Sequence, residues 1–529
     1  MDSQSVGIDE PLTATTGVSR ITNSSFQDNY DVAVIGAGVA GLTAAALLQH
    51  DGAQVLLLEA HDKPGGCAGY FSIEDKTLGP FTFAAGATVA LGFETDGLHR
   101  RVFDYLKVPC EATLLPGLRI LLPSREIVFR HNAKRWKAER QTLPGNRRGQ
   151  ELFWHLQETI ADAGWLALKR LPSLPLQTSR DWKRNLALAH PRLLPLLPFL
   201  HCTSGDILHV LRLQNDREFV ALLNLLLVIT TQQEVAKAPF TNACSGLDLF
   251  RHGGYHLPGG IGSIAGLLQS AFERDGGTLK FQERALHIQK QRGAFEIKTD
   301  KVTYHAQKVI ANLPLPQVKK LIDLPPRAQN NCDEMLSRCP TPWGAVTLYA
   351  AVRDEVLPRD NEGNIWQHSQ TLLDYEARPG EGRDVFVSLS APNDQLQAPP
   401  AWRALTASTH THLSDWENLS QAQYREQKKQ WREKLLNGVR RLIPDFDAGR
   451  KFVLCGTPST WEHYALRRSV GGVPQTLDNT NLRALTGRLG VRNFYVVGDW
   501  TFPGQGTVAC ALSGINVWRE IQQISNVCI

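Results

Sequence analysis

The chain has 529 residues, enough for more than one folded unit. With 42% apolar and 21% charged residues its composition is that of an ordinary globular protein. Lys plus Arg is 57 against 52 Asp plus Glu, and a net +5 over this length is too thin for a basic stripe, which excludes nucleic acid as an expected partner. The nine cysteines are irregularly spaced and include no C-x-x-C. A disulfide framework, a Cys-rich zinc site and a dithiol redox motif are excluded with it, and no metal site is expected. Residues 1–29 are rich in Ser and Thr and lack an apolar run, so they read as a disordered tail with no secretory leader. No stretch reaches the 18 or so consecutive apolar residues of a spanning helix. The expected location is therefore the cytoplasm, with at most a peripheral contact to a membrane.

Tyr30–Ile35 (YDVAVI) is an apolar, β-branched run suited to a strand buried on both faces. It leads into Gly36-Ala37-Gly38-Val39-Ala40-Gly41 and an Ala/Leu-rich helix, and a second strand, Gln54–Leu58, ends in Glu59-Ala60. Gly36 permits the tight turn, Gly38 lets backbone approach a diphosphate, and Gly41 lets helix and sheet pack closely. Peptide N–H groups at the helix start then face the diphosphate, while Glu59 can accept from an adenosine ribose and disfavours a 2′-phosphate. Together these parts predict dinucleotide binding.

Two further features select FAD over a nicotinamide cofactor. The doublet Gly65-Gly66 follows Glu59 closely. Far downstream, Asn493–Val497 is an apolar strand ending in Gly498-Asp499, followed by Pro503-Gly504-Gln505-Gly506-Thr507 and a helical pattern. This second strand–turn–helix suits the other end of a long, extended cofactor. Gly260-Ile261-Gly262-Ser263 follows Pro258-Gly259 rather than a strand, so it reads as a loop entering a helix, and no dedicated NAD(P)H domain is expected.

With these segments assembled, the chain resembles the FAD-dependent carotenoid oxidoreductases, that is, the phytoene desaturase, carotene isomerase and related amine oxidase family. Within it the chain is most similar to cyanobacterial-type C-3′,4′ carotenoid desaturases. The segments that carry the resemblance are VIGAGVAGLTAAALL (34–48), PGGCAGYF (64–71), GATVALGFETDGLHRRVF (86–103), HGGYHLPGGIGSIAGLL (252–268) and VGDWTFPGQGTVACALSGI (497–515). The resemblance implies an α/β fold: a Rossmann-like FAD-binding domain of the two-dinucleotide-binding-domain flavoprotein type, with an inserted α+β substrate domain. The cofactor domain would comprise 30–115, 250–315 and 455–529, and the substrate domain 116–249 and 316–454. The strand around 281–289 would bring backbone to the adenine near Leu286 and His287. Gly86-Ala87-Thr88 and Thr457–Thr460 would approach the isoalloxazine. Two departures stand out: Ala84 where relatives commonly carry Asp, and Arg467-Arg468-Ser469 where they often carry an acid before the Gly471-Gly472 pair.

In the middle of the chain, Leu193–Leu200 and Phe219–Ile229 are strongly apolar, and Lys169, Arg170, Arg180, Lys183, Arg184 and Arg192 lie upstream or among them. Residues 182–200 could dock into a lipid headgroup layer and give a hydrocarbon access from the bilayer, whereas 219–229 reads as a buried helix. Arg251-His252 could orient substrate or flavin, or serve as a loop ion pair or a cap; Glu234 reads as an exposed carboxylate, and most tryptophans as packing residues. No Ser–His–Asp spacing or H-E-x-x-H occurs, and no catalytic acid or base is identified. The expected chemistry is desaturation of a carotenoid C–C bond next to the polyene by hydride transfer to flavin, with oxygen or a quinone as final acceptor. The alternatives are redox-neutral cis–trans isomerisation with reduced FAD, a flavin amine oxidase, and a flavin-binding partner without turnover.

Overall fold

The computed structural model describes residues 29–187, 189–339, 343–360, 362–376 and 378–524. The expected tail lies outside the described residues except for Asn29, which opens the first strand.

The N-terminal half supplies β1 (Asn29–Ile35), α1 (Val39–His50), β2 (Val55–Leu58), β3 (Gly117–Leu121), β4 (Glu126–Arg130) and α2 (Arg217–Thr231). It is followed by α3 (Ser263–Arg274), β5 (Thr278–Lys280), β6 (Ala285–Gln291), β7 (Ala294–Thr299) and β8 (Thr303–Ala311). The remainder contributes β9 (Trp343–Arg353), β10 (His368–Leu372), β11 (Asp384–Leu389), β12 (Trp402–His412), α4 (Gln421–Leu442), β13 (Arg450–Gly456), β14 (Phe494–Val496) and α5 (Thr507–Ile521).

These fourteen strands form two seven-stranded sheets, beside two small two-stranded ones among the described residues. In the first, the order is β6-β7-β8-β1-β2-β5, with β14 on the far half of β8. The apolar run of β1 alternates between two cores, as a period-2 strand covered on both faces must. Val32 and Val34 pack with Leu47 and Leu48 of α1 and Leu512, Ile515 and Trp518 of α5, while Ala33 and Ile35 face a second core with Leu58, Val309 and Phe494. Each buried Leu or Ile contributes about 1.5–3 kcal/mol.

The register places the site. Ile35 pairs in parallel with Leu58 and with Ala311, and Ala311 with Val496. Four parallel strands therefore end at one level, and Gly36, Glu59, Asn312 and Val497 emerge side by side at the carboxyl edge, where open α/β sheets bind ligands.

The second sheet runs β13-β9-β12-β11-β10-β3-β4. Val385, Val387, Leu405 and Ala407 face α4 and pack on its Trp431, Leu435 and Val439. The residues between them point the other way. Thr347 and Tyr349 of β9, Ser408 and His410 of β12, Asp384 and Phe386 of β11, Leu118 of β3 and Phe129 of β4 line a cavity. Helix α2 and the long helix Arg147–Lys169 belong to the core on that side, through Leu222, Leu226, Phe153 and Trp154.

Candidate active site

One cavity of about 2020 Å³ runs from the carboxyl edge of the first sheet across the floor of the second. That is about twice the upper end of the 300–1,000 Å³ typical of a single drug-sized ligand. Of the residues expected at the cofactor, Gly36, Gly38, Ala40, Glu59, Ala60, Gly65, Gly66, Gly86, Ala87, Thr88, Leu286, Asp499, Gly506 and Thr507 all line it. Gly41 and Gly498 do not. A Cβ on Gly41 would sit 2.3 Å from the Gly36 carbonyl oxygen, and one on Gly498 would meet Asn312 Oδ1 at 2.8 Å, so both serve close packing behind the wall. His287 is turned away and pairs with Asp323, Nε2 to Oδ2 at 3.1 Å.

The wall near the first strand is bare backbone. Gly36 adopts φ +98, in the region that favours glycine, and the Gly65 N–H donates to the Ala37 carbonyl at 2.8 Å. A Cβ on Gly66 would lie 3.6 Å from Gly38 Cα, so the two glycine turns touch and leave a strip free of side chains at the start of α1. The Glu59 carboxylate is buried and fixed by two peptide donors, Ala37 N–H at 2.7 Å and His61 N–H at 3.0 Å. Each carboxylate oxygen keeps a second lone pair for a ribose hydroxyl. At the other end, α5 starts at the cavity wall with Thr507, and its first N–H groups carry the positive end of the helix dipole. A bare glycine strip, a ribose acceptor and a second helix start within one cavity fit FAD.

Several residues here escaped the sequence reading. Asn312 directly follows β8 and its Nδ2 donates to the Gly36 carbonyl at 3.3 Å, which makes it the seam of the glycine turn. Glu283 lines the cavity near Leu286, buried, accepting from Thr299 Oγ1 at 2.8 Å. Trp461 stands over Gly86, whose Cβ position is 2.5 Å from its ring. Gln232 ends α2 in a left-handed conformation, and its Nε2 donates to Val470 O and Gln505 Oε1, both at 2.7 Å. Substrate-side helix and cofactor-side loop are thereby tied together.

Arg467 takes the place where an acid was expected. It lines the cavity and its Nη1 meets Asp499 Oδ2 at 2.9 Å. Arg251 is engaged by Asp248 and Asp162, so of its readings the ion pair is the one formed, but in a short helix, Leu249–His252, rather than a loop. Glu234 is partly buried rather than exposed, and it does not line the cavity.

The basic group upstream of the apolar segment needs correction. Arg184 is buried, held by Glu520 at 3.1 Å, and Arg180 also reaches Glu520, at 3.5 Å. Lys169 pairs with Asp96 at 2.7 Å. These cations neutralise carboxylates of the fold, which leaves Lys183 and Arg192 as the exposed charges of 182–200. The apolar part stays open: Trp182, Leu186, Leu194 and Leu197 are all at least 60% exposed, whereas Leu196 and Leu200 line the cavity. Helix α2 is buried along most of its length, as expected.

Asp384 is the acid on a mixed floor where Thr347, Ser408 and His410 alternate with Leu118, Phe129 and Phe386. It accepts from Thr409 Oγ1 at 3.3 Å, and burial pushes its carboxyl up to about 7. Burial also lowers the neighbouring wall residue His410 to about 4, so its imidazole is neutral near pH 7. A carboxyl whose folded pKa is raised binds more protons folded than unfolded between the two values. Its contribution is therefore greatest below the ordinary carboxylate range and is lost as pH rises through about 7. Asp384→Asn is expected to remove this slope, worth roughly a few kcal/mol between acid and neutral pH. Melting curves across that range check it; a variant as pH-sensitive as the parent contradicts the assignment.

No group of three or more His, Cys, Asp or Glu side chains is placed to hold a metal among the described residues. No described helix is long and apolar enough to cross a membrane.

Comparison with known proteins agrees with this geometry. Prolycopene isomerase of Daucus carota is 26% identical over 502 residues, 92% of this chain and 79% of its own. Carotenoid 3,4-desaturase of Haloarcula japonica is 23% identical over 92% of this chain and 96% of its own. Among solved structures, an oxidoreductase from Methanosarcina mazei superimposes with a TM-score of 0.61 at 15% identity, covering 92% of this chain and 99% of that one. A putrescine oxidase redesigned in cofactor binding gives 0.62 at 13% identity over 94% and 99%. These two structures share the fold. The pattern of the flavin containing amine oxidoreductases matches residues 39–521. The α/β flavoprotein architecture and the FAD cofactor expected from the sequence are thus both met, and the chain is an enzyme that belongs to the flavin containing amine oxidoreductase family.

Proposed function

We propose that this oxidoreductase acts on a carotenoid and desaturates a C–C bond next to the polyene. The observation that carries the reading is the continuity of the cavity: the glycine-lined cleft and the floor of the second sheet share one volume of about 2020 Å³. When bound, FAD supplies a hydride acceptor in the oxidised state and a donor in the reduced state. The protein's part is to hold a long apolar chain in reach and keep water out. Leu118, Phe129, Leu226 and Phe386 form the apolar wall for that task. After hydride leaves the saturated carbon, the conjugated chain delocalises the positive charge, and loss of a proton from the neighbouring carbon completes the double bond.

In this reading the residues named above at the cleft contact the cofactor. Chain segments 30–115, 250–315 and 455–529 form the cofactor part, and 116–249 with 316–454 the substrate part. Oxygen or a quinone reoxidises the flavin. The outward-facing Trp182, Leu194 and Leu197 beside the cavity residues Leu196 and Leu200 give a membrane-facing mouth through which a lipid-dissolved polyene enters. Replacing Trp182, Leu194 and Leu197 by Ser is expected to reduce sedimentation with liposomes several-fold. An unchanged bound fraction would defeat the mouth.

A second reading, redox-neutral cis–trans isomerisation, is favoured by the relatives. Prolycopene isomerases of Daucus carota and Arabidopsis thaliana are 26% and 25% identical to the chain. A flavin amine oxidase has less support, because a volume of about 2020 Å³ is large for a small amine, although Asp384 on the floor is an acid that an amine could meet. Expression in a carotenoid-accumulating bacterial host separates these readings. Pigment lighter by two hydrogens and red-shifted indicates desaturation, whereas unchanged mass with altered geometry indicates isomerisation. Unchanged pigment beside FAD-loaded protein would speak against both.

A further inference from the structure

Asp384 opens β11 as a carboxyl without a counter-ion. It is half-buried and lines the cavity. Oδ1 accepts from Thr409 Oγ1 at 3.3 Å, whereas Oδ2 accepts from no other described residue and is not closed off by packing. The cations nearby are engaged elsewhere. Arg383 pairs with Asp374 at 2.6 Å, and Lys434 donates to the Glu381 carbonyl at 3.0 Å. Lys428 and Arg432 reach the cavity beside Cys455 of β13, the edge strand three places away from β11. His410 shares the floor and, lowered by burial to about 4, is neutral near pH 7. Thr347 and Ser408 are uncharged hydroxyls, burial pushes Tyr349 up to about 12, and α2 brings Leu226 and Thr230 to the facing wall. Ionising a sheltered carboxyl with no opposite charge is costly, and only positive charge arriving in the cavity offsets it.

The sheet register says where that charge would arise. Ser408 is level with Phe386 on one side and with Thr347 on the other, so Asp384 lies two strands and one pleat from Thr347. With strands ~4.8 Å apart and ~3.4 Å per residue, the separation is on the order of 12 Å. Thr347 and Tyr349 border the cofactor end of the floor, where Tyr349 Oη donates to the Ala85 carbonyl at 2.7 Å, next to Gly86. A carboxyl this far off is out of reach of a proton on a carbon reacting there. It stands where the remainder of a long chain must lie. Loss of hydride leaves a positive charge that conjugation spreads along that remainder, which brings the charge to a group remote from the broken bond.

We propose that Asp384 is a charge-stabilising residue of the reaction, its carboxylate facing the positive charge delocalised along the polyene as hydride passes to the flavin. The C–H electron pair and its hydrogen leave together, so the flavin gains two electrons and the chain one positive charge. The proton lost from the neighbouring carbon goes to water and restores a neutral chain. Asp384 neither makes nor breaks a covalent bond. The uncharged substrate does not draw on the carboxylate, so the effect falls on the rate and not on binding. This inference rests on the desaturation reading, and its test lets the two fail separately.

The test follows flavin bleaching in FAD-loaded wild type, Asp384→Asn and Asp384→Glu on anaerobic mixing with carotenoid in liposomes, on both sides of pH 7. A unit charge at ~12 Å in an effective dielectric of about 20 corresponds to about tenfold in rate. The wild-type maximal rate should rise with pH through about 7 as Asp384 ionises. Asp384→Asn should be flat and about tenfold slower above that pH, at an unchanged carotenoid dissociation constant. Asp384→Glu keeps the charge and should stay near the wild type. A folded Asp384→Asn as fast as the wild type, or altered only in carotenoid binding, overturns the proposal. Should that variant not fold, the wild type decides: a maximal rate flat in pH overturns it. A wild type that no carotenoid bleaches defeats the desaturation reading itself. A small amine that bleaches it, and binds about tenfold more weakly to Asp384→Asn, then assigns the carboxylate to an ammonium group and overturns the proposal as well.

Discussion

Gly38→Val is expected to yield folded but colourless protein. Gly38 has φ −73 and ψ 170, a conformation open to any residue, so the backbone tolerates the change. Space does not. A Cβ at this position lies 2.5 Å from Asn312 Nδ2, whose hydrogen bond to the Gly36 carbonyl holds the turn. Valine adds two methyl groups beyond that Cβ, on the bare strip at the start of α1. Overpacking costs about 1–3 kcal/mol, and each 1.4 kcal/mol is a factor of ten in affinity, so FAD retention should fall by roughly one to two orders of magnitude. Gly38→Ala, which only displaces Asn312, should lose less. Absorbance of the purified protein checks the ranking, with circular dichroism to confirm folding. A yellow, fully loaded Gly38→Val would contradict the placement of the cofactor.

The opposite phenotype is expected at Ile229 on the cavity wall. Ile229, near the end of α2, lines the cavity, is 37% exposed, and its carbonyl accepts from Gln505 in the loop before α5 at 3.0 Å. Its side chain therefore faces the cavity beside the loop before α5 without being a packed core residue. Ile229→Trp fills part of the cavity there. Turnover should fall about 100-fold while flavin absorbance is retained, the size of effect expected when a reacting chain is displaced by about an ångström. Ile229→Ala, which widens the cavity, should change turnover little. Product formation and flavin content measured on one preparation separate the two variants; parallel loss of both from Ile229→Trp would show that the residue supports the cofactor instead of the substrate.

The sequence revealed what depends on local pattern. The YDVAVI strand, the glycine turn, the Ala/Leu helix and the acid after the second strand are read from periodicity and spacing alone, because a doubly covered strand and a helix start impose them. The same holds for the buried α2. What stayed hidden depends on pairing across the chain. Asn312 reaches the glycine turn only because β8 pairs with β1 so that Ala311 lies level with Ile35, and no spacing in the sequence states that register. Asp384 faces the cavity because Val385 and Val387 face α4, and a period-2 strand does not say which face is which. Arg184 and Arg180 looked like membrane-directed charge until Glu520 of α5, more than 300 residues away, proved to neutralise them. Arg467 looked like a departure from a family pattern, and its burial beside Asp499 makes it part of the cleft.

The most direct test of the central claim, that flavin and polyene share one cavity, is an anaerobic mixing experiment with purified FAD-loaded protein and carotenoid delivered in liposomes. The account predicts either of two linked results. Flavin absorbance bleaches in proportion to a red shift of the polyene, which is desaturation, or polyene geometry changes only after the flavin has been reduced, with no net consumption of reductant, which is isomerisation. A flavin that responds to a small amine while leaving every carotenoid unchanged in both redox states would contradict the account.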